Sequence, residues 1–202
     1  MDTKLVPLGY KTQAVDTAPE VERMQFALLR RVPIETRLGQ VLAFCQQARS
    51  LSWQAIADRY PELSSRDRKR KLVERICDRS TDNIDAFLDR DLMLQTPIEL
   101  AAEIGTILDR LDIPYFVSGG IASAIWGERR TTEDVDLAVL LSPEKVAQLL
   151  AAMADDFYIS EVAVSEALQR TSTFNIIHFA SVLKADIYLV SEEDNFRRSA
   201  LA

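Results

Sequence analysis

Asp134-Val135-Asp136-Leu137-Ala138-Val139 alternates charged and apolar residues and then becomes wholly apolar. Successive side chains of a β-strand point to opposite faces, so the two carboxylates share one face while Val135 points into the core. Two like charges this close repel each other unless a cation lies between them. The stretch therefore predicts a strand that begins with a candidate metal-binding pair. Two solvated aspartates at a strand start are the alternative.

A second β-rich run covers residues 183–190. Its side chains alternate between an apolar face and a face carrying Lys184, Asp186 and Tyr188. Together with residues 174–179 it predicts an antiparallel pair of strands. A neighbouring strand would bring Asp186 beside the first two carboxylates. An ordinary polar strand face is the alternative interpretation of Asp186.

The sequence ahead of these strands predicts a strand at residues 115–117, a turn at Ser118-Gly119-Gly120 and a short helix at residues 121–126. Glycines let backbone N–H groups approach a ligand closely, and a helix N-terminus favours a phosphate. A plain turn is the alternative for this pair. Thr96-Pro97-Ile98-Glu99 predicts a capping box that starts another helix. Further apolar patterns predict helices after Ser142-Pro143 and over residues 161–169, with a strand at residues 157–159.

The N-terminal half has only helical periodicity after a flexible lead-in at residues 1–18. We expect helices at residues 20–31 and 34–49, a short one capped by Ser52, one capped by Ser64 or Ser65, and one near residues 84–88. The sequence thus predicts an α+β chain. A helical domain at residues 19–94 precedes a domain at residues 95–202 with a mixed sheet flanked by helices.

Composition narrows the chemistry of the 202-residue chain. Its net charge of −7 is divided as +2 over residues 1–91 and −9 over residues 92–202, so the second half cannot attract nucleic acid by charge alone. With two cysteines and one histidine, neither a disulfide framework nor a zinc site is expected. Carboxylates favour a hard cation such as Mg²⁺.

No apolar run reaches membrane-spanning length and no signal peptide is evident, so a cytoplasmic location is expected. The basic run at residues 66–71 indicates either a solvated helix face or a surface for nucleic-acid phosphates.

Three segments of the second half deserve comparison with known proteins, namely Gly119-Gly120-Ile121-Ala122, Trp126-Gly127-Glu128-Arg129-Arg130-Thr131-Thr132-Glu133-Asp134-Val135-Asp136-Leu137 and Lys184-Ala185-Asp186-Ile187. Together they resemble the polymerase-β-like nucleotidyltransferase superfamily. The likeness is closest to the abortive-infection-type nucleotidyltransferases of bacterial toxin–antitoxin pairs and their uncharacterised relatives. It covers residues 97–190. It implies a nucleotidyltransferase fold in the second domain.

The resemblance also implies roles for individual residues. Asp134, Asp136 and Asp186 would be catalytic and would bind Mg²⁺, with two ions expected and Mn²⁺ as a substitute. The residues expected to bind the nucleotide are Ser118, Gly119, Gly120, Arg129, Arg130, Thr132 and Lys184. The alternative to nucleotide binding is a surface salt bridge for each arginine. For Lys184 the alternative is an ion pair with Asp186.

The implied function is transfer of a nucleoside monophosphate from an NTP to a hydroxyl of an RNA such as tRNA, or of a protein. It would belong to a toxin–antitoxin or phage-defence system with a cognate antitoxin. Family members usually continue well past the third aspartate, whereas this sequence ends at Ala202. The alternative is therefore an inactive binding protein with the same fold, acting as antitoxin or nucleic-acid adaptor. A hydrolase built from Ser118 or Ser123 with His178 and Asp186 lacks a nucleophile-elbow pattern.

Overall fold

A computed structural model describes residue 12 and residues 16–76, 84–126 and 134–191. Within these ranges the chain forms eight α-helices and one five-stranded sheet, and five helices precede the first strand. The predicted α+β class, with a helical region ahead of a mixed sheet flanked by helices, is confirmed. The nucleotidyltransferase fold and the domain division at residue 95 stay predictions.

The helical region consists of α1 (Pro19–Leu29), α2 (Ile34–Arg59), α3 (Ser65–Ile76) and α4 (Ile84–Leu88). The predicted separate helix capped by Ser52 is wrong, because α2 continues through that position. No proline or glycine interrupts residues 40–59, so nothing breaks the backbone hydrogen-bond ladder there. Ser64 caps α3 as predicted, since its Oγ accepts a hydrogen bond from the Asp67 N–H at 3.1 Å.

The sheet has the strand order β1-β2-β5-β4-β3. Its strands are β1 (Tyr115–Val117), β2 (Val135–Val139), β3 (Phe157–Ile159), β4 (Thr173–His178) and β5 (Lys184–Leu189). Only β2 and β5 pair in parallel, and the other neighbours are antiparallel. The predicted antiparallel pair of β4 and β5 is confirmed.

Four more helices accompany the sheet, namely α5 (Pro97–Arg110), α6 (Gly119–Ile125), α7 (Val146–Met153) and α8 (Glu161–Arg170). The predicted capping box of α5 is present, with the Thr96 hydroxyl accepting from the Glu99 N–H and the Glu99 carboxylate accepting from the Thr96 N–H. The main core joins α5, α7 and α8 to the apolar face of the sheet, to which Val135, Leu137, Ala185 and Ile187 contribute fully or almost fully buried side chains. This packing leaves the opposite face of β2 and β5 for polar residues.

A smaller core attaches the helical region to the sheet. Val73 of α3 and Phe87 of α4 pack with Ile177, Phe179 and Val182 at the end of β4 and in the turn that follows. The rings of Phe87 and Phe179 meet edge to face, with their centroids 4.9 Å apart. α3 and α4 are therefore part of the same packed body as the sheet.

The basic run of α3 makes its contacts within the helical region. The Lys69 ammonium donates to the Arg90 carbonyl at 2.8 Å, and the residue is only 3% exposed. Arg66 pairs with Asp89, Arg68 donates to the carbonyls of Tyr60 and Pro61, and Lys71 pairs with Glu74. Four of the five cations in residues 66–71 thus make contacts inside the helical region rather than facing only solvent.

None of the helices in the described ranges has both the length and the apolar character needed to cross a bilayer.

Candidate functional site

The parallel pairing of β2 and β5 brings the predicted carboxylates together. Asp136 lies directly opposite Asp186 in the register, and Val135 opposite Ala185. Residues paired in register point to the same sheet face, so Asp136 and Asp186 are neighbours on the polar face. Asp134 stands two residues before Asp136, just ahead of β2. Three carboxylates that are distant in the sequence thus gather at the start of two central strands.

The glycine turn packs directly against this group. Ser118 holds the end of β1 to β2, because its N–H donates to the Asp136 carbonyl at 2.9 Å and its hydroxyl to the same oxygen at 3.3 Å. Gly119 follows with a φ of +59°, in the left-handed region that favours glycine. A Cβ at Gly119 would lie 1.8 Å from the Oδ2 atom of Asp136. Only glycine fits there while the carboxylate keeps its place.

The turn thus lies beside the carboxylates, as the sequence predicted. Gly120 is buried as the second residue of α6. Because α6 has only seven residues, its dipole contributes little, and any phosphate binding here would depend on the exposed backbone at Gly119. The Ser118 hydroxyl, which already donates to a backbone carbonyl, supports the turn.

Lys184 lies between two of the carboxylates. Its Nζ atom is 3.1 Å from Oδ1 and 3.2 Å from Oδ2 of Asp186, and 3.7 Å from Oδ2 of Asp134. Burial lowers the pKa of Lys184, but the hydrogen bond to Asp186 and the charge of Asp134 outweigh burial and leave the pKa raised. The ammonium is therefore charged at neutral pH and offsets one of the three negative charges.

Tyr188 lies on the polar face, as the alternation of β5 predicts, but nothing in the residue pattern pointed to a role for it. Its hydroxyl donates to Oδ1 of Asp136 at 3.4 Å. Burial and then the charges of Asp136 and Asp186 raise the pKa of the phenol, which keeps it protonated as a donor. Asp136 is thus held between the bare Gly119 backbone and the Tyr188 hydroxyl. Asn175, opposite Asp186 in the register, extends the polar face onto β4.

The donor atoms suit a hard cation, but the observed arrangement holds an ammonium group. Oδ1 of Asp186 is buried and accepts no hydrogen bond, but it lies 3.1 Å from the Lys184 ammonium, so a metal ion could take it as a ligand only in place of that contact. In the described ranges, however, no three His, Cys, Asp or Glu side chains are arranged to hold a metal ion. The carboxylates would have to draw closer together around an ion, and Lys184 would have to move.

Three predicted nucleotide-binding residues, Arg129, Arg130 and Thr132, lie outside the described residues. The resemblance assigned them to the segment that joins α6 to Asp134. Their roles stay predictions.

His178 belongs to a separate cluster. Its Nδ1 atom lies 2.8 Å from the Ser181 hydroxyl oxygen and accepts from the Ser181 N–H, while Nε2 lies 3.7 Å from Glu103 of α5. Ser181 is fully buried and is not an accessible nucleophile. Burial lowers the pKa of His178, and the charges of Glu103 and Asp156 only partly offset this. The histidine therefore supports the turn between β4 and β5 as a neutral side chain, apart from Ser118 and Asp186.

No protein-family model matches the chain, and no significant match is found among curated proteins or solved structures.

Proposed function

We propose that the protein is a Mg²⁺-dependent nucleotidyltransferase that moves a nucleoside monophosphate from an NTP to a hydroxyl of an RNA, such as a tRNA, or of a protein. The observation that carries the proposal is the in-register pairing of Asp136 with Asp186 beside Gly119, with the Lys184 ammonium between Asp186 and Asp134. The family resemblance of these residues supplies the reaction class. A toxin–antitoxin or phage-defence setting, with a cognate antitoxin, belongs to the same proposal.

Asp134, Asp136 and Asp186 are the residues that would hold Mg²⁺ or Mn²⁺. The cation would neutralise charge on the triphosphate and on the departing pyrophosphate. The exposed backbone of Gly119 would contact a phosphate, and Tyr188 fixes the orientation of Asp136 through its hydrogen bond. Asp186 would either join the other two carboxylates as a ligand or accept the proton of the attacking hydroxyl once Lys184 has moved away.

The alternative, an inactive adaptor that binds nucleic acid through residues 66–71, is less well supported. Lys69 is buried against the Arg90 carbonyl, and Arg68 donates to the carbonyls of Tyr60 and Pro61. Neither side chain could bind a partner's phosphates without giving up these contacts.

The test is transfer of label from each α-³²P-labelled NTP to total tRNA or to lysate protein in the presence of Mg²⁺. We expect labelled product with wild type and none with Asp136→Asn, which keeps the side-chain volume but removes the charge. Arg70→Gln is a matched control that removes one charge from α3 and should retain activity. Absence of product with every nucleotide and acceptor, or equal labelling by Asp136→Asn, would refute the proposal.

A further inference from the structure

We infer that Lys184 is an internal counter-ion of the candidate site, which a divalent cation must displace and which the nucleotide's triphosphate then binds. The inference rests on the proposed function and adds how the binding of the metal and the binding of the nucleotide depend on each other. The metal alone should bind weakly, whereas metal and nucleotide should each strengthen the binding of the other.

The first step is the position of the ammonium. It contacts both oxygens of Asp186 and lies 3.7 Å from Oδ2 of Asp134, so it occupies the space between the two carboxylates. A cation that bridged these carboxylates would lie within a few ångströms of the Lys184 Nζ atom. Two positive charges that close repel strongly in a partly desolvated site. The divalent cation and the ammonium therefore exclude each other.

The second step is the reason that Lys184 stays in place without nucleotide. Its side chain is 27% exposed and that of Asp186 only 19%. Oδ1 of Asp186 is buried without a hydrogen bond, so the ammonium is the group that offsets its charge. A charge left unpaired in such surroundings is costly, and the ion pair is correspondingly persistent.

The third step is the destination of the displaced ammonium. A lysine carries a compact charge on a flexible four-carbon stem, which lets it follow an anion over several ångströms. The triphosphate supplies that anion at the same sheet face. Because coupling between two ligands is reciprocal, the nucleotide should raise metal affinity by the factor by which the metal raises nucleotide affinity.

The experiment measures Mn²⁺ binding by electron paramagnetic resonance for wild type and Lys184→Met, with and without a non-hydrolysable NTP analogue. Without the analogue, we expect Lys184→Met to bind Mn²⁺ at least about tenfold more tightly than wild type, a factor that corresponds to about 1.4 kcal/mol. The analogue should tighten Mn²⁺ binding to wild type and should tighten it much less in the variant. Lys71→Met, which removes the same charge from α3, should behave as wild type.

The outcomes separate the two claims. If wild type binds Mn²⁺ with the analogue but Lys184→Met without nucleotide binds no more tightly than wild type, the counter-ion inference fails and the proposed function stands. If neither protein binds Mn²⁺ with or without the analogue, both fail. Lys184→Gln, with a polar side chain in place of methionine, repeats the comparison should Lys184→Met fold poorly. Lys184→Arg keeps the charge and should retain weak metal binding without nucleotide.

Discussion

Replacing Gly119 with alanine tests whether the glycine turn and Asp136 form one unit. At a φ of +59°, an L-residue costs about 1–2 kcal/mol relative to its ordinary conformations. The new Cβ would also lie 1.8 Å from Oδ2 and 2.4 Å from Cγ of Asp136, far inside van der Waals contact. The carboxylate must therefore rotate or the turn must shift. We expect Gly119→Ala to lower the free energy of unfolding by at least about 1 kcal/mol and to weaken Mn²⁺ binding.

Urea unfolding followed by circular dichroism measures the stability, and the chain offers a matched control. Gly39 lies inside α2, and a Cβ added there would meet no atom of another element within 4 Å, so Gly39→Ala should raise stability by about 0.5–1 kcal/mol. Replacing glycine with alanine is thus expected to lower the free energy of unfolding at residue 119 and to raise it at residue 39.

A double-mutant cycle isolates the contact with Asp136. Asp136→Ala removes the two closest atoms and leaves the Asp136 Cβ at 2.8 Å from the new methyl group. Gly119→Ala should therefore cost less in that background than in wild type. An equal cost in both backgrounds, or a Gly119→Ala protein as stable as wild type, would refute the claim that the turn is shaped around this carboxylate.

Three further predictions concern the fold. Thr96→Ala removes the hydroxyl of the α5 capping box and should cost about 1 kcal/mol in urea unfolding, whereas Thr96→Ser should cost less; equal losses would contradict the capping role. Phe87→Ala empties a fully buried position between α4 and the sheet and should lower the free energy of unfolding by about 3–5 kcal/mol. Wild type should unfold in a single transition. A loss of stability below about 1 kcal/mol would mean that α4 does not pack against the sheet. Because the pKa of His178 is lowered in the folded protein, the unfolded chain binds its proton first as the pH falls below about 6.5. Wild type should therefore lose stability relative to His178→Gln as the pH falls below that value, by at most about 1.4 kcal/mol per pH unit; parallel stability curves for the two proteins would contradict a neutral buried histidine.

The strands were predictable because their patterns are local. Alternation placed Val135, Ala185 and Ile187 in the core and the aspartates on the other face, and the structure agrees. The α5 start was equally local, since a capping box needs only four consecutive residues. By contrast, the predicted cap at Ser52 is wrong because a serine inside a helix and one at its start look alike when no proline or glycine separates the segments.

The interactions that the sequence did not predict join distant parts of the chain. The contact of Lys184 with Asp134 and that of Tyr188 with Asp136 both depend on the parallel register of β2 and β5, which residue patterns do not specify. Likewise, the residues beside Lys69 in the sequence are mostly charged and gave no sign of burial. Lys69 is nevertheless buried, and its ammonium group donates a hydrogen bond to the Arg90 carbonyl. Such pairings are decided by tertiary packing, so the carboxylates and the pair of Lys184 with Asp186 could be named in advance, but the contact of Lys184 with Asp134 could not.

The most direct test of the central claim is a crystal structure with Mn²⁺ and a non-hydrolysable NTP analogue, in which anomalous scattering locates the metal. We predict a Mn²⁺ ion ligated by carboxylate oxygens of Asp134, Asp136 and Asp186, with the triphosphate beside Gly119 and the Lys184 ammonium turned toward it. A metal bound elsewhere, or a nucleotide bound away from the polar face of β2 and β5, would contradict the account.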